Sequence, residues 1–166
     1  MRNGYTFSTV SQLARLEKLL AGCDREALLG AVKIGVQSRV GVTFAWRWTE
    51  PPEQRLVSQA FCSALSCAYA PGIATDSWRP LATLVLDATY EATLRAAAVD
   101  LAQGRGSGKV WLTAVGGGVF GNRTAWISAA IGRALQRCAN LPLDVHLGHY
   151  QAMDNELCRE IAEYLG

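Results

Sequence analysis

The stretch that decides the fold runs from Val110 to Leu135, VWLTAVGGGVFGNRTAWISAAIGRAL. With Lys109 in front it opens as KVWLTAV, an apolar run rich in β-branched and aromatic residues that reads as a central strand. Gly116, Gly117, Gly118 and Gly121 follow within six positions. The chain then turns into a segment whose Ile127, Ile131, Ala134, Leu135 and Cys138 make the core stripe of a helix. Outward to the C-terminus, Asn140-Leu141-Pro142 stops that helix. LDVHLGHY then reads as a strand, and DNELCREIAEYLG as a closing helix with Leu157, Ile161 and Leu165 inward. Outward to the N-terminus, a long helix starts between Ser77 and Pro80 and ends at the glycines Gly104, Gly106 and Gly108. It is apolar on most sides, with one polar stripe of Thr83, Asp87, Glu91 and Arg95, read as a solvated face with ordinary ion pairs. Helix, strand, helix, strand, helix with short connections predicts right-handed crossovers and a parallel sheet core.

The first third of the chain has a different texture. SQLARLEKLLAG places Leu13, Leu16 and Leu20 on one helical face, with Thr9 and Gln12 at capping-box spacing and Gly22 as the stop. A short helix starts at Asp24. VKIGVQS and VGVTFAWRW read as strands that add antiparallel edges, Glu50-Pro51-Pro52-Glu53 breaks the pattern, and RLVSQAFCSALSCAYA reads as a third strand entering a loop. Without repeat, low-complexity tract or linker, residues 1–166 are expected to form a single α/β domain.

Composition narrows the class. Of 166 residues 50% are hydrophobic and 18% charged, which excludes intrinsic disorder and suggests elements covered on both faces. The net charge of +2 comes from 16 basic and 14 acidic residues spread along the chain, with no basic stripe for nucleic acid. No apolar run approaches the roughly 18 residues of a membrane span, and the N-terminus lacks a signal-peptide core, so a cytoplasmic protein without a membrane or nucleic-acid partner is expected. The five cysteines, Cys23, Cys62, Cys67, Cys138 and Cys158, are read as reduced and structural. No C-x-x-C occurs, and His146 and His149 would face opposite ways on a strand, so no metal is expected.

The glycine loop carries the chemistry. Where a buried strand turns straight into a helix, consecutive backbone N–H groups and the positive helix end face one small volume, which suits a phosphate or other anion. The candidate ligand-binding residues are Gly116, Gly117, Gly118, Val119, Phe120, Gly121 and Asn122. Phe120 either stacks on a sugar or base at the rim or plugs the core beneath the loop. Asn122 either orients a ligand oxygen or caps the following helix. Gly116, Gly118 and Gly121 also spell the dinucleotide-binding G-x-G-x-x-G. That fingerprint wants an acidic residue at the end of the next strand, where His149 and Tyr150 stand instead, and it comes too late in the chain. No Lys-Ser or Lys-Thr pair follows the glycines, which argues against a Walker-type loop.

From about Leu81 to Gly166 the chain resembles the C-terminal half of a macrodomain, the ADP-ribose-binding α/β module. The resemblance is carried by the long helix with Leu86, Tyr90 and Leu94, a strand, Gly118-Val119-Phe120-Gly121, a helix, and a final strand and helix. KIGVQS, VSQAFCSALSCAYA, LVLDATYEATL and LTAVGGGVFGN look like the later part of a macrodomain-like group. The resemblance implies a mixed, largely parallel sheet with helices on both faces. It also implies a loop whose backbone grips the diphosphate of ADP-ribose, a nucleotide-type small molecule, with Phe120 near the distal ribose and no cofactor. Met1 to Val40 spells neither the family's adenine-contacting aspartate nor its first asparagine-glycine loop. The implied domain therefore lacks its front strands, and a second copy in a homodimer would complete it. Two alternatives stand beside ligand binding: an ADP-ribosyl hydrolase, and a non-catalytic dimerisation or protein-interaction module.

No catalytic residue is assigned. Cys62, Ser63, Ser66 and Cys67 lie at a strand end without a histidine in predictable relation and are read as small packing residues. His149 and Tyr150 are the better placed of the remaining candidates, beside the end of a strand. Trp46 and Trp48 share one side of a strand and form either an exposed aromatic ledge or part of the sheet's buried face.

Overall fold

The computed structural model describes residues 5–42 and 56–166; Trp46, Trp48, the 50–53 break and most of VGVTFAWRW lie outside the described residues. Local signals place the first two helices. In α1 (Val10–Ala21) the Thr9 hydroxyl accepts from the Gln12 N–H at 3.2 Å and the Gln12 side chain accepts from the Thr9 N–H at 2.9 Å, so the capping box forms. Gly22 ends the helix and Leu13 is buried. α2 (Arg25–Ala31) starts from Asp24, whose carboxylate accepts from the Glu26 N–H.

β1 (Gly35–Gly41) and β2 (Leu56–Phe61) pair antiparallel, with a register irregularity between Gln37 and Val40 where Arg39 takes a φ of +57°. Nearly every residue of both strands is exposed. The hairpin is tied to the body by Ser58, whose hydroxyl donates to Asp100 at 2.6 Å.

α3 (Arg79–Ala102) is the spine, with Pro80 in its first turn and Ala82, Leu86, Tyr90 and Leu94 buried. β3 (Lys109–Leu112) and β4 (Asp144–Leu147) pair in parallel, in register from Lys109 opposite Asp144 to Leu112 opposite Leu147. Val110 and Leu112 point into the core, while Lys109 and Trp111 face out. Trp111 is 67% exposed and stacks on His146 with ring centres 4.6 Å apart. α4 (Thr124–Arg137) packs between α3 and α5 (Asn155–Leu165). The deepest side chains, Trp78, Leu86, Tyr90, Leu94, Ile127 and Ile131, come from this helical layer and the turn before it, and the leucines and isoleucines each contribute about 1.5–3 kcal/mol by leaving water.

The chain is thus mixed α/β, and four expectations need correcting. Instead of one largely parallel sheet, the described residues form two separate two-stranded sheets, one parallel and one antiparallel. A cavity of about 640 Å³ keeps β2 from β3; the two strands wall it and Tyr90, Thr93, Ala96 and Ala97 of α3 form its floor. Helices do not cover the outward side of β3, where Lys109 and Trp111 are exposed. LDVHLGHY stops pairing at Leu147, so His149 lies past the strand, and Leu165 at the end of α5 is exposed rather than inward.

The polar stripe of α3 is a further correction at its two carboxylates, since Arg95 is exposed as expected but Asp87 and Glu91 are not. Asp87 and Glu91 are buried and each is met by two arginines. Arg25 and Arg133 reach Asp87, the latter at 2.6 Å; Arg95 and Arg137 reach Glu91 at 2.7 and 2.6 Å, and Arg137 continues to Glu26. Burial pushes the Glu91 carboxyl up, but hydrogen bonds and charge from Arg95 and Arg137 outweigh it and hold the group below the ordinary glutamate value. None of the helices of the described residues is long and apolar enough to cross a membrane.

Candidate functional site

The end of β3 is braced from below. The Tyr90 hydroxyl donates to the Thr113 carbonyl at 2.7 Å and accepts from the Val115 N–H at 2.9 Å, and burial raises its ionisation well above the usual tyrosine range. Tyr90 thereby takes Thr113–Val115 out of the predicted strand and aims the chain into the glycine loop.

Within the loop the glycines have separate reasons. Gly116 and Gly121 adopt φ of +80° and +71°, and both lie hard against the segment that follows β2. A Cβ on Gly116 would overlap the Ala64 methyl, and one on Gly121 would come within 2.8 Å of the Ala68 methyl. Gly118 also has a positive φ, of +61°, yet the space where its Cβ would stand is open. Gly117 has neither constraint. Conformation and close packing therefore account for most of the glycine density that the sequence reading credited to a ligand.

Asn122 neither caps α4 nor faces outward. It is buried, its amide donates to the carbonyls of Leu65 at 2.8 Å and Gly116 at 2.9 Å, and its Oδ1 accepts from the Cys67 thiol. It pins the loop to the segment after β2. The residue at the N-terminus of α4 is Arg123, whose side chain makes no cap.

What remains open is the crest. Val115, Gly117, Gly121 and Asn122 spend their N–H groups inside the fold, on Thr113 and Tyr90, Ala114, Gly118 and Gly116 respectively. Gly118, Val119 and Phe120 form one 3₁₀ turn in which Gly118 and Val119 are exposed. The turn itself engages the Phe120 N–H with the Gly117 carbonyl, and among the described residues no acceptor is found for the N–H groups of Gly118 and Val119. Beside them Phe120 makes edge-to-face contacts with Tyr69 at 5.6 Å and Tyr5 at 6.4 Å, and those tyrosines meet at 5.0 Å. Phe120 and Tyr69 are half-buried and Tyr5 exposed, so the three rings form a wall rather than a plug. Sequence reasoning found Phe120 but neither tyrosine, since nothing local links positions 5, 69 and 120.

The remaining candidates are not brought together. Ser66 and Cys67 are buried, and burial pushes the Cys67 thiol up to about 11, out of the range of a neutral-pH nucleophile. Ser63 donates to the Ala64 carbonyl. His149 is engaged by the Asp154 N–H at 3.2 Å and by Cys158 at 3.6 Å, and Tyr150 is fully exposed. All five cysteines are free, and no three metal-ligating side chains cluster among the described residues.

Comparison with protein-family models, with curated proteins and with solved structures finds no match to this chain.

Proposed function

We propose that this protein binds a phosphorylated nucleotide-type ligand at the crest of the glycine loop, through the backbone of Gly118 and Val119 with Phe120 beside them, within a macrodomain-like arrangement in which ADP-ribose is the ligand to expect. The single observation that carries the reading is the pair of consecutive amides, Gly118 and Val119, for which the described residues offer no acceptor at the exposed crest of the loop. Consecutive exposed backbone N–H groups suit a diphosphate oxygen. The Phe120–Tyr69–Tyr5 wall offers ring edges and faces to the sugar or base beside it. The parallel pair β3–β4 with α3, α4 and α5 supports the macrodomain-like part of the proposal. Binding is placed ahead of hydrolysis because no carboxylate or imidazole takes part in the loop's described hydrogen bonds.

Thermal shift and calorimetry with ADP-ribose, AMP and inorganic phosphate test it. ADP-ribose at 100 times its Kd stabilises the fold by about 2.7 kcal/mol if it binds only the native state. AMP and phosphate, each lacking part of the ligand, are expected to bind more weakly. No response to any of the three at millimolar concentration rejects the reading.

A second reading has an observation of its own. Among the described residues the facing edges of β2 and β3 pair with nothing across the 640 Å³ cavity, and Val36, Val57, Phe61 and Trp111 stand exposed around it. Unpaired edges of this kind take up strands from other chains, as a homodimer or hetero-complex would. Light scattering over a concentration series separates the two: a monomer at all concentrations removes the support for self-pairing and leaves ligand binding untouched.

A further inference from the structure

We infer that a second anion site lies on the helical side of the molecule, in the cleft of about 430 Å³ between the start of α3 and the outer face of α4, and that it takes a small phosphorylated anion. Its walls carry Arg79, Arg123 and Arg133 against a single lining carboxylate, Asp76, and Ala129 leaves the floor open.

The arginines differ in how far they are committed. Arg133 gives Nε and Nη2 to Asp87, at 3.0 and 2.6 Å, but Asp87 is shared with Arg25, so one buried carboxylate faces two guanidiniums. Arg123 forks onto Asp76 with both bonds at 2.7 Å, and it also stands 6.0 Å over the Trp126 ring. Arg79 has no carboxylate within ion-pair reach among the described residues. Within the lining three guanidiniums therefore face one carboxylate, with Arg133 sharing the Asp87 behind it with Arg25, so the cleft carries an excess of positive charge.

Such an excess costs the fold self-repulsion, and a dianion removes it. The Arg123–Asp76 pair shows the chemistry in miniature. It is a planar fork already holding two oxygens, both side chains are more than half exposed, and an exposed pair of this kind is weak enough to be exchanged. An incoming phosphate takes the place of the Asp76 carboxylate on Arg123 and gains Arg79 as well. The inference is independent of the glycine loop, whose amides contribute nothing to the cleft lining.

The test is a pyrophosphate titration of the whole chain followed on the arginine Nε–H resonances and on the backbone amides together. The site predicts saturable shifts at Arg79 and Arg123. Arg79→Gln, which removes an exposed and unpaired group, weakens that transition about tenfold, the size of one charge-assisted hydrogen bond. Asp76→Asn strengthens it up to about fivefold by removing the internal competitor. Gly118→Val leaves it unchanged. Shifts confined to the amides of residues 118–120, arginine shifts that do not saturate, or an Arg79→Gln protein that binds like the parent would each overturn the inference, and the first of these would leave the glycine-loop reading standing.

Discussion

At the scale of single residues, the loop separates glycines that hold the fold from one that serves its surface. Gly116→Ala meets both the left-handed backbone, worth about 1–2 kcal/mol for an L-residue, and overlap with Ala64, so urea melts are expected to show a loss well beyond 2 kcal/mol. Gly118→Ala meets only the backbone term and is expected to lose about 1 kcal/mol; equal losses at the two positions would contradict this division. The sequence made the density of glycines visible but not their reasons, because Ala64 and Ala68 are more than 50 residues away along the chain. The same distance hides the role of Asn122, which the neighbouring helix suggested as a cap and the Leu65 and Gly116 carbonyls claim instead. Cysteine chemistry follows burial: iodoacetamide on the native protein is expected to label exposed Cys23 while sparing Cys67 and Cys138, and early modification of Cys67 would contradict its placement in the core.

At the scale of elements, what was legible was local. Thr9 and Gln12 announce α1 because a capping box is built from four consecutive residues, and Asp24 announces α2 because an N-cap carboxylate needs only the N–H two residues on. The stripe on α3 was legible as a pattern and misread as a surface, since a helical face does not say which other helices cover it; arginines from α2 and α4 do. Its pH dependence has a definite sign. With Glu91 held below the usual 4.5, the folded form binds fewer protons than the unfolded chain in mild acid. The contribution is complete above that value and is lost as pH falls through the folded pKa. Glu91→Gln is expected to flatten the fall in stability below pH 4.5, and an unchanged acid slope would contradict the assignment. Gly132 inverts an ordinary rule. Alanine in a helix interior normally stabilises relative to glycine by roughly 0.5–1 kcal/mol, but here a Cβ would meet the Tyr164 ring of α5 at 2.5 Å. Gly132→Ala is therefore expected to lower the Tm, and a rise would show that α4 and α5 pack less closely than described.

At the scale of the whole molecule, the strand–loop–helix order from Val110 to Leu135 correctly announced a parallel pair, because β3 and β4 are joined through α4 by a short crossover. It could not announce that β2 stops short of β3. Sheet assembly depends on edges contributed by distant segments, and the apolar pattern of Leu56–Phe61 reads the same whether its edge is paired or bare. The result is a helical core with an exposed hairpin on one side, a glycine-loop crest at the end of β3 and an arginine-lined cleft beyond it. The most direct test of ligand binding at the crest is the amide spectrum of the protein titrated with ADP-ribose: saturable shifts centred on Gly118, Val119 and Phe120 are predicted, and a titration that leaves those three signals unmoved would contradict it.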